Sequence, residues 1–537
     1  MADFLSLVIS FLGVAGLVAK RLLTYLRYFQ QEEYSASRLR LWLTAKRIFD
    51  RKGSLVALAA GAICLLAPKG LLIATCLVGA SLLAFIALSE SDPRKAGKIR
   101  LNMTARARRI YAAALGLSVL STAAGAGLAL LAGGARAPGL FWFLAILVIQ
   151  ATPLYLMLGN ALLLPDETRR QRRFAEEAKE LLRSVAPFVV GITGSYGKTS
   201  TKAVLGEMLR GLGPTLWPPA SINSLMGVTR YIRENLKPHH KYAVFEMGAY
   251  GIGSIRKLCD LVGPRAGIIT NIGVMHLERF GSQDVIFRAK SELADAIPPG
   301  GALVLNGDDE RCRRVAAEHP DRRIVFYGLD SEDLDVSARD VRISEAGTAF
   351  LIRWHGREFK AQTELVGRPA LYNILAAFAM ACTLGADPEF LVAVVRNLKP
   401  AKNRLEISRD GEVVFLNDAY NSNPIGFRSA LEVLGALPAS RRILVTPGMI
   451  ELGDRQEEEN RLAGARAAAV CDIVFVVGET NRNALLSGLQ GASEKVEVNT
   501  FDSRDSALSQ LKSIVKSGDV VLLENDLPDL YEGLPRL

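Results

Sequence analysis

Cysteine is sparse and unpaired: the six residues at 64, 76, 259, 312, 382 and 471 show neither the spacing of a zinc ribbon nor that of a disulfide framework. Histidine numbers only five, and of these His276 alone lies beside a loop rich in glycine and asparagine at a strand end. No basic residue precedes the first apolar run, and Lys20-Arg21 follow it instead, which argues against a cleaved signal peptide. The net charge is +10, yet the basic residues flank apolar stretches and are not interleaved with aromatics on a soluble domain. That excludes nucleic acid as the expected partner and points to anionic lipid headgroups.

Whole-chain averages mix a strongly apolar first third with an ordinary soluble remainder. Residues 4–19, 55–68, 71–88, 111–131 and 140–164 are apolar stretches, most of them near the roughly 17 to 25 residues that cross a bilayer. Lys20, Arg21, Arg27, Arg38, Arg40, Lys46, Arg47, Arg51 and Lys52 lie between the first two. Arg94, Lys95, Lys98, Arg100, Arg106, Arg108 and Arg109 separate the third from the fourth. The other two connections carry only Lys69 and Arg136. The positive-inside rule then predicts about five spans over residues 1–165, the N-terminus outside and everything after Leu164 in the cytoplasm. The expected location is a bacterial inner (cytoplasmic) membrane, multi-pass. Residues 166–186, with Thr-Arg-Arg-Gln-Arg-Arg, read as a polar linker helix.

From residue 187 short apolar runs alternate with longer amphipathic ones. Runs 188–190, 242–245, 266–270, 302–305 and 323–327 predict parallel strands joined by helices. A second set at 413–416, 442–446, 473–477 and 520–523 predicts a separate α/β domain, and 335–365 reads as hairpin strands appended to the first. The fold class is therefore multi-domain: an α-helical transmembrane region, a P-loop ATPase-like α/β domain over 187–402 and a Rossmann-like α/β domain over 403–537.

After Ala186-Pro-Phe-Val-Val190 comes Gly191-Ile-Thr193-Gly194-Ser195-Tyr196-Gly197-Lys198-Thr199-Ser200-Thr201, a buried strand breaking into a glycine-rich loop that opens a helix. Backbone N–H groups of such a loop cradle phosphates, Lys198 reaches the outer ones, the Thr199 hydroxyl takes Mg²⁺, and the helix dipole adds positive potential. The chain is expected to use ATP or GTP. Glu246 ends the strand Tyr242-Ala-Val-Phe, where strand-end loops form a ligand crevice, and is a natural Mg²⁺ ligand.

The Thr-Gly-x-x-Gly-Lys-Thr spacing resembles that of the Mur ligase family, which joins a carboxylate to an amine with hydrolysis of ATP. The segment Thr270-Asn271-Ile-Gly-Val-Met-His276 through Phe287-Arg-Ala-Lys290-Ser-Glu292 extends the likeness, most closely to the branch that adds D-alanyl-D-alanine to UDP-N-acetylmuramoyl-tripeptide. The resemblance implies two Mg²⁺ sites, one at Thr199 and Glu246 and a second at His276 and Lys290, the lysine carbamylated. It implies Lys198, His276, Lys290 and Arg404 as catalytic residues. ATP is expected on residues 193 to 200 with Asn271, Asn373, Arg404 and Asp418. Asn223, in Ser221-Ile-Asn223-Ser-Leu-Met-Gly227, would lie near the acceptor carboxylate, with Tyr420, Asn421 and Asn423 as further substrate residues.

Gly367-Arg368-Pro369-Ala370-Leu-Tyr-Asn373 matches the family's adenine-contacting helix start, but Pro369 and Ala370 replace the usual His-Asn. Ser224 likewise replaces a second Asn. The cysteine pattern disfavours the zinc-carrying Mur-like subunit that amidates lipid-linked precursors. Membrane spans stand where the branch grips the UDP-sugar, and Leu523-Glu-Asn-Asp526 lacks its basic, glycine-containing terminus. The expected reaction is amide formation through an acyl phosphate. Its partners would be the bilayer, a lipid- or UDP-linked cell-wall precursor and a small amine or dipeptide. A ligase building another peptide or polyglutamate-type tail, and a membrane scaffold that only senses ATP, stand as alternatives.

Overall fold

The computed structural model describes residues 2–45, 48–66, 68–95, 100–249, 251–273, 280–400, 403–419, 422–492 and 495–526. They fall into two compact units that divide between Arg170 and Gln171.

The first unit is helical: α1 (Ala2–Gln31), α2 (Ala36–Ala45), α3 (Arg51–Leu66), α4 (Leu72–Ser89), α5 (Ala105–Gly133), α6 (Ala137–Gln150) and the start of α7 (Thr152–Val185). Among the described residues α1, α4 and α5 are long and apolar enough to cross a membrane, and α6 with α7, bent by 58° where they meet, makes a fourth if the pair is one span. The five expected stretches thus become three helices of crossing length, one short helix and one bent pair. α3 has 16 residues, about 24 Å at 1.5 Å per residue, less than the ~30 Å hydrocarbon core. The polar linker expected at 166–186 is a continuation of α7.

Helices in this unit approach closely. A Cβ on Gly13 of α1 would come 2.7 Å from the backbone of Ala80 on α4, and one on Gly79 would come 2.9 Å from the Trp142 ring on α6. The missing side chain of glycine at each of these contacts lets neighbouring helices approach closely. Arg21 is fully buried, pairs with Asp50 at 2.5 Å and also with Glu90, and so ties α1 to the start of α3 and the end of α4. Phe4, Leu66, Phe85, Leu88, Leu120 and Leu131 are exposed. The cysteines, unpaired in spacing, include one pair in space: Cys64 Sγ on α3 and Cys76 Sγ on α4 are 3.7 Å apart.

The second unit holds two sheets. The first contains β1 (Phe188–Thr193), β2 (Thr215–Leu216), β3 (Tyr242–Glu246), β4 (Ala266–Ile269), β5 (Ala302–Asn306), β6 (Arg323–Gly328), β7 (Val336–Ser344), β8 (Gly347–Trp354) and β9 (Arg357–Thr363). Their order is β2-β3-β1-β4-β5-β6-β7-β8-β9, parallel as far as β7 and antiparallel across β7, β8 and β9. β1, buried on one face through Val190 and Ile192 and on the other through Val189, lies between β3 and β4, where the strand order reverses. In open α/β sheets ligands bind outside the carboxyl ends of strands at that point.

The second sheet, of order β10-β11-β15-β12-β13-β14, is built from β10 (Glu406–Asp410), β11 (Val413–Asp418), β12 (Arg441–Thr446), β13 (Ile473–Val477), β14 (Glu497–Phe501) and β15 (Asp519–Glu524). Only β10 runs antiparallel to its neighbour. The expected strands are all present. β2, β10 and β14 are additional: β2 has two residues, and the other two are half-exposed edge strands with no continuous apolar run.

Candidate active site

The loop between β1 and α8 (Lys198–Leu209) is set by two glycines. Gly197 is the N-cap of α8 at φ +79°, and Gly194 lies at φ +148°. A Cβ at Gly197 would meet Asn373 Oδ1 at 2.4 Å, and one at Gly194 would meet Thr270 Oγ1 at 1.9 Å. Both the conformation and the space call for glycine.

Asn271, just past β4, braces the loop from one side: its Oδ1 accepts from Ser195 N at 3.1 Å and Tyr196 N at 3.0 Å. Ser195 Oγ donates to Gly273 O at 3.1 Å, and Thr193 Oγ1 donates to Met247 O at 3.1 Å. From below, Asn373 on α13 (Arg368–Thr383) accepts from Thr201 Oγ1 at 3.1 Å. The asparagine expected at adenine is thereby engaged in the floor of the loop. Ser200 lies in the first turn of α8.

Lys198 Nζ donates to Gly194 O at 2.8 Å and Ser195 O at 3.2 Å. Burial lowers its proton affinity, Glu246 opposes that and the Arg404 charge adds to it. Lys290, on α11 (Gln283–Ala296), reaches the same Gly194 carbonyl at 2.9 Å. It is 5% exposed, and burial, reinforced by the Lys198 charge, drives its pKa well below the usual lysine value.

Glu246 ends β3 and is buried. Its Oε2 accepts from Thr199 Oγ1 at 2.8 Å and its Oε1 from Asn223 Nδ2 at 2.9 Å, while Ser221 Oγ stands 3.1 Å from Thr199 Oγ1. A carboxylate and a hydroxyl side by side at a helix N-terminus are hard oxygen donors of the kind Mg²⁺ takes. Asp418 ends β11; its Oδ1 accepts from Leu405 N at 3.1 Å. Burial raises the Asp418 carboxyl to about 6, with the Leu405 N–H and the Arg404 charge pulling the other way. Arg404 thus acts electrostatically on both Lys198 and Asp418.

Lys198, Thr199, Glu246, Asn271, Lys290, Asn373 and Asn223 accordingly meet around the loop at the carboxyl ends of β1, β3 and β4. Asn423 Oδ1 caps helix α15 (Pro424–Ala436) by accepting from Gly426 N at 2.9 Å. His276, Tyr420 and Asn421 lie outside the described residues. Two residues of the site went unread in the sequence. Lys202, one turn beyond Lys198, looked like any helix lysine but is buried against Glu246. Asp309 holds the Asn271 loop through Ile272 N at 2.7 Å, a contact that only the fold creates.

The profile of the Mur ligase middle domain matches residues 192–381, and that of the Mur ligase glutamate ligase domain matches residues 403–524. The chain belongs to the Mur ligase family. Among relatives of this Mur ligase, the UDP-N-acetylmuramoyl-tripeptide--D-alanyl-D-alanine ligase of Mycobacterium tuberculosis is 33% identical over 363 residues, covering 63% of this chain and 70% of that one. The crystal structure of MurF from Acinetobacter baumannii superposes with TM-score 0.60 at 28% identity, over 66% of this chain and 77% of that one. MurF ligase from Thermotoga maritima in complex with ADP gives 0.60 at 28%, over 66% and 80%. The two matched regions lie within the second unit; the first unit lies outside them.

Proposed function

We propose that this Mur ligase forms an amide bond at the expense of ATP, adding D-alanyl-D-alanine to a peptidoglycan-precursor carboxylate, and that it does so at the cytoplasmic face of a bacterial membrane. The observation that carries the reading is the convergence of Lys198, the Thr199–Glu246 pair and Lys290 on one strand-end crevice.

Transfer of the γ-phosphoryl group to the acceptor carboxylate makes an acyl phosphate. Attack by the amine then releases phosphate and leaves the amide. Such chemistry requires positioning and neutralisation of charge more than a protein nucleophile. Lys198 and the N-terminus of α8 bind the phosphates. Thr199 and Glu246 would hold one Mg²⁺. Lys290, with His276, would help to hold a second, and the burial that favours its neutral amine also suits carbamylation, since only that form adds CO₂. Bound there, Mg²⁺ would supply the positive charge that the crowded phosphate oxygens need. Asn223 faces the acceptor side, and Arg404 and Asp418 contribute to the nucleotide from the second sheet, consistent with a division near residue 402.

The names of the relatives support D-alanyl-D-alanine as the amine. Leu523-Glu524-Asn525-Asp526, which lacks the basic, glycine-containing terminus of the resembled branch, favours a second reading, a different amine or peptide tail. Crossing-length apolar helices, close helix packing through small residues and an exposed apolar surface support membrane insertion of residues 1–165, with α3 as a short additional span.

The test is ADP release by detergent-purified protein with Mg-ATP and D-alanyl-D-alanine, comparing UDP-linked and lipid-linked muramoyl-tripeptide, with Lys198→Ala as the blank. Acceptor-dependent turnover is expected, reduced about a hundredfold or more in the variant. Binding of ATP without turnover on either acceptor would move the assignment to another amine or to a nucleotide-sensing scaffold.

A further inference from the structure

Lys202 is 1% exposed, and a buried ammonium is costly unless its hydrogens are taken up. Its Nζ donates to the Ala220 carbonyl and stands 3.5 Å from Glu246 Oε2. Both contacts bear on the site. Ala220 lies at φ +48°, a left-handed conformation that alanine adopts at a cost, and the bond to Lys202 holds it there. The turn so fixed delivers Ser221 to Thr199 and Asn223 to Glu246, and Gly248 N fastens it again on Asn223 O at 3.0 Å.

Glu246 divides its oxygens between two sides. Oε1 faces Asn223, while Oε2 faces Thr199 and Lys202. A cation held by Thr199 and Glu246 would compete with Lys202 for Oε2, but the Ala220 carbonyl would keep Lys202 in place.

We propose that Lys202 is a positioning residue that couples the nucleotide–metal side of the site to the acceptor side, by pinning the turn 220–224 against the P-loop helix and Glu246. This rests on the ligase reading above. Lys202 touches no reacting atom, so its removal acts on how the acceptor and the cation are held. The phosphate cradle around Lys198 stays intact.

The experiment uses the full chain in detergent and compares Lys202→Met, Lys202→Gln and Lys202→Arg with the unsubstituted protein, by initial rates of ADP release on UDP-N-acetylmuramoyl-tripeptide and D-alanyl-D-alanine. In Lys202→Met and Lys202→Gln the KM for the acceptor and the Mg²⁺ concentration giving half-maximal rate should each rise about tenfold, with the KM for the dipeptide within about twofold. Lys202→Arg should recover most of the acceptor affinity. ADP binding in EDTA, followed by calorimetry, should be unchanged and certifies that the loop is folded; where Met costs the fold, Gln, whose polar end is uncharged and one bond short of the Lys202 ammonium that bonds Ala220, decides. Unchanged acceptor and Mg²⁺ dependence, or an equal rise in every KM, overturns the proposal. Absence of acceptor-dependent ADP release in the unsubstituted protein instead overturns the ligase reading, and the coupling with it.

Discussion

At the scale of single residues, the site is made of groups whose charge is set by where they are buried. Asp418 and Glu524 face each other in register on the adjacent parallel strands β11 and β15. Ser422 Oγ donates to Glu524 Oε1, Glu524 Oε2 has no hydrogen-bond partner among the described residues, and burial with the neighbouring Asp418 charge pushes the Glu524 carboxyl well up. Asp418 is raised as well, to about 6. A carboxyl whose folded pKa exceeds its unfolded value, near 4, binds more protons when folded. Its contribution to stability is full below pH ~4 and is lost as pH rises through the folded value. Melting temperature should therefore fall between about pH 4 and 6 and beyond through this pair, and Glu524→Gln should flatten that slope and raise stability at neutral pH. A slope unchanged by the substitution, followed by thermal unfolding across that range, would show that the pair does not titrate this way.

Residues of this kind mark what a sequence can and cannot disclose. Lys198, Thr199 and Glu246 were legible because a glycine-rich loop and a strand-end acid are local patterns. Lys290 was legible only through resemblance, since nothing near it in sequence separates it from other helix lysines. Lys202 and the engagement of Asn373 by the loop floor were not legible, because each depends on which element packs against α8.

Elements show the same limit. The parallel strands were visible as apolar runs because both faces are buried, whereas β10 and β14 are half-exposed edges whose composition resembles loop. Apolar length located α1, α4 and α5, but hydropathy along one chain could not register the short reach of α3 or the 58° bend between α6 and α7. The α3–α4 hairpin gives this level a direct check. Cys64 and Cys76 are buried with sulfurs 3.7 Å apart across the two helices. A soluble thiol oxidant such as copper-phenanthroline should convert the pair to one intramolecular disulfide in membranes, abolished by Cys64→Ser or Cys76→Ser and read as loss of maleimide labelling after denaturation. Persistent labelling of both thiols would mean that the helices do not pack in this register.

For the molecule as a whole, the arrangement joins an apolar helical unit to a second unit whose residues 192–381 and 403–524 match the two Mur ligase domains. On the proposed reading, such a unit would act chiefly through encounter: an anchor would confine the site to the layer where a lipid-linked acceptor is concentrated, which raises its effective concentration without any new contact. A soluble acceptor gains nothing from that confinement. Deleting residues 1–170 should therefore lower the rate on lipid-linked acceptor in vesicles by about a hundredfold, the lower end of the range for tethering, while the rate on a short soluble acceptor stays within about twofold. Equal loss on both would show that the helices support the fold of the ligase and not its access to substrate. Equal retention on both would show that the helical unit serves neither, and that the acceptor is drawn from the cytoplasmic pool.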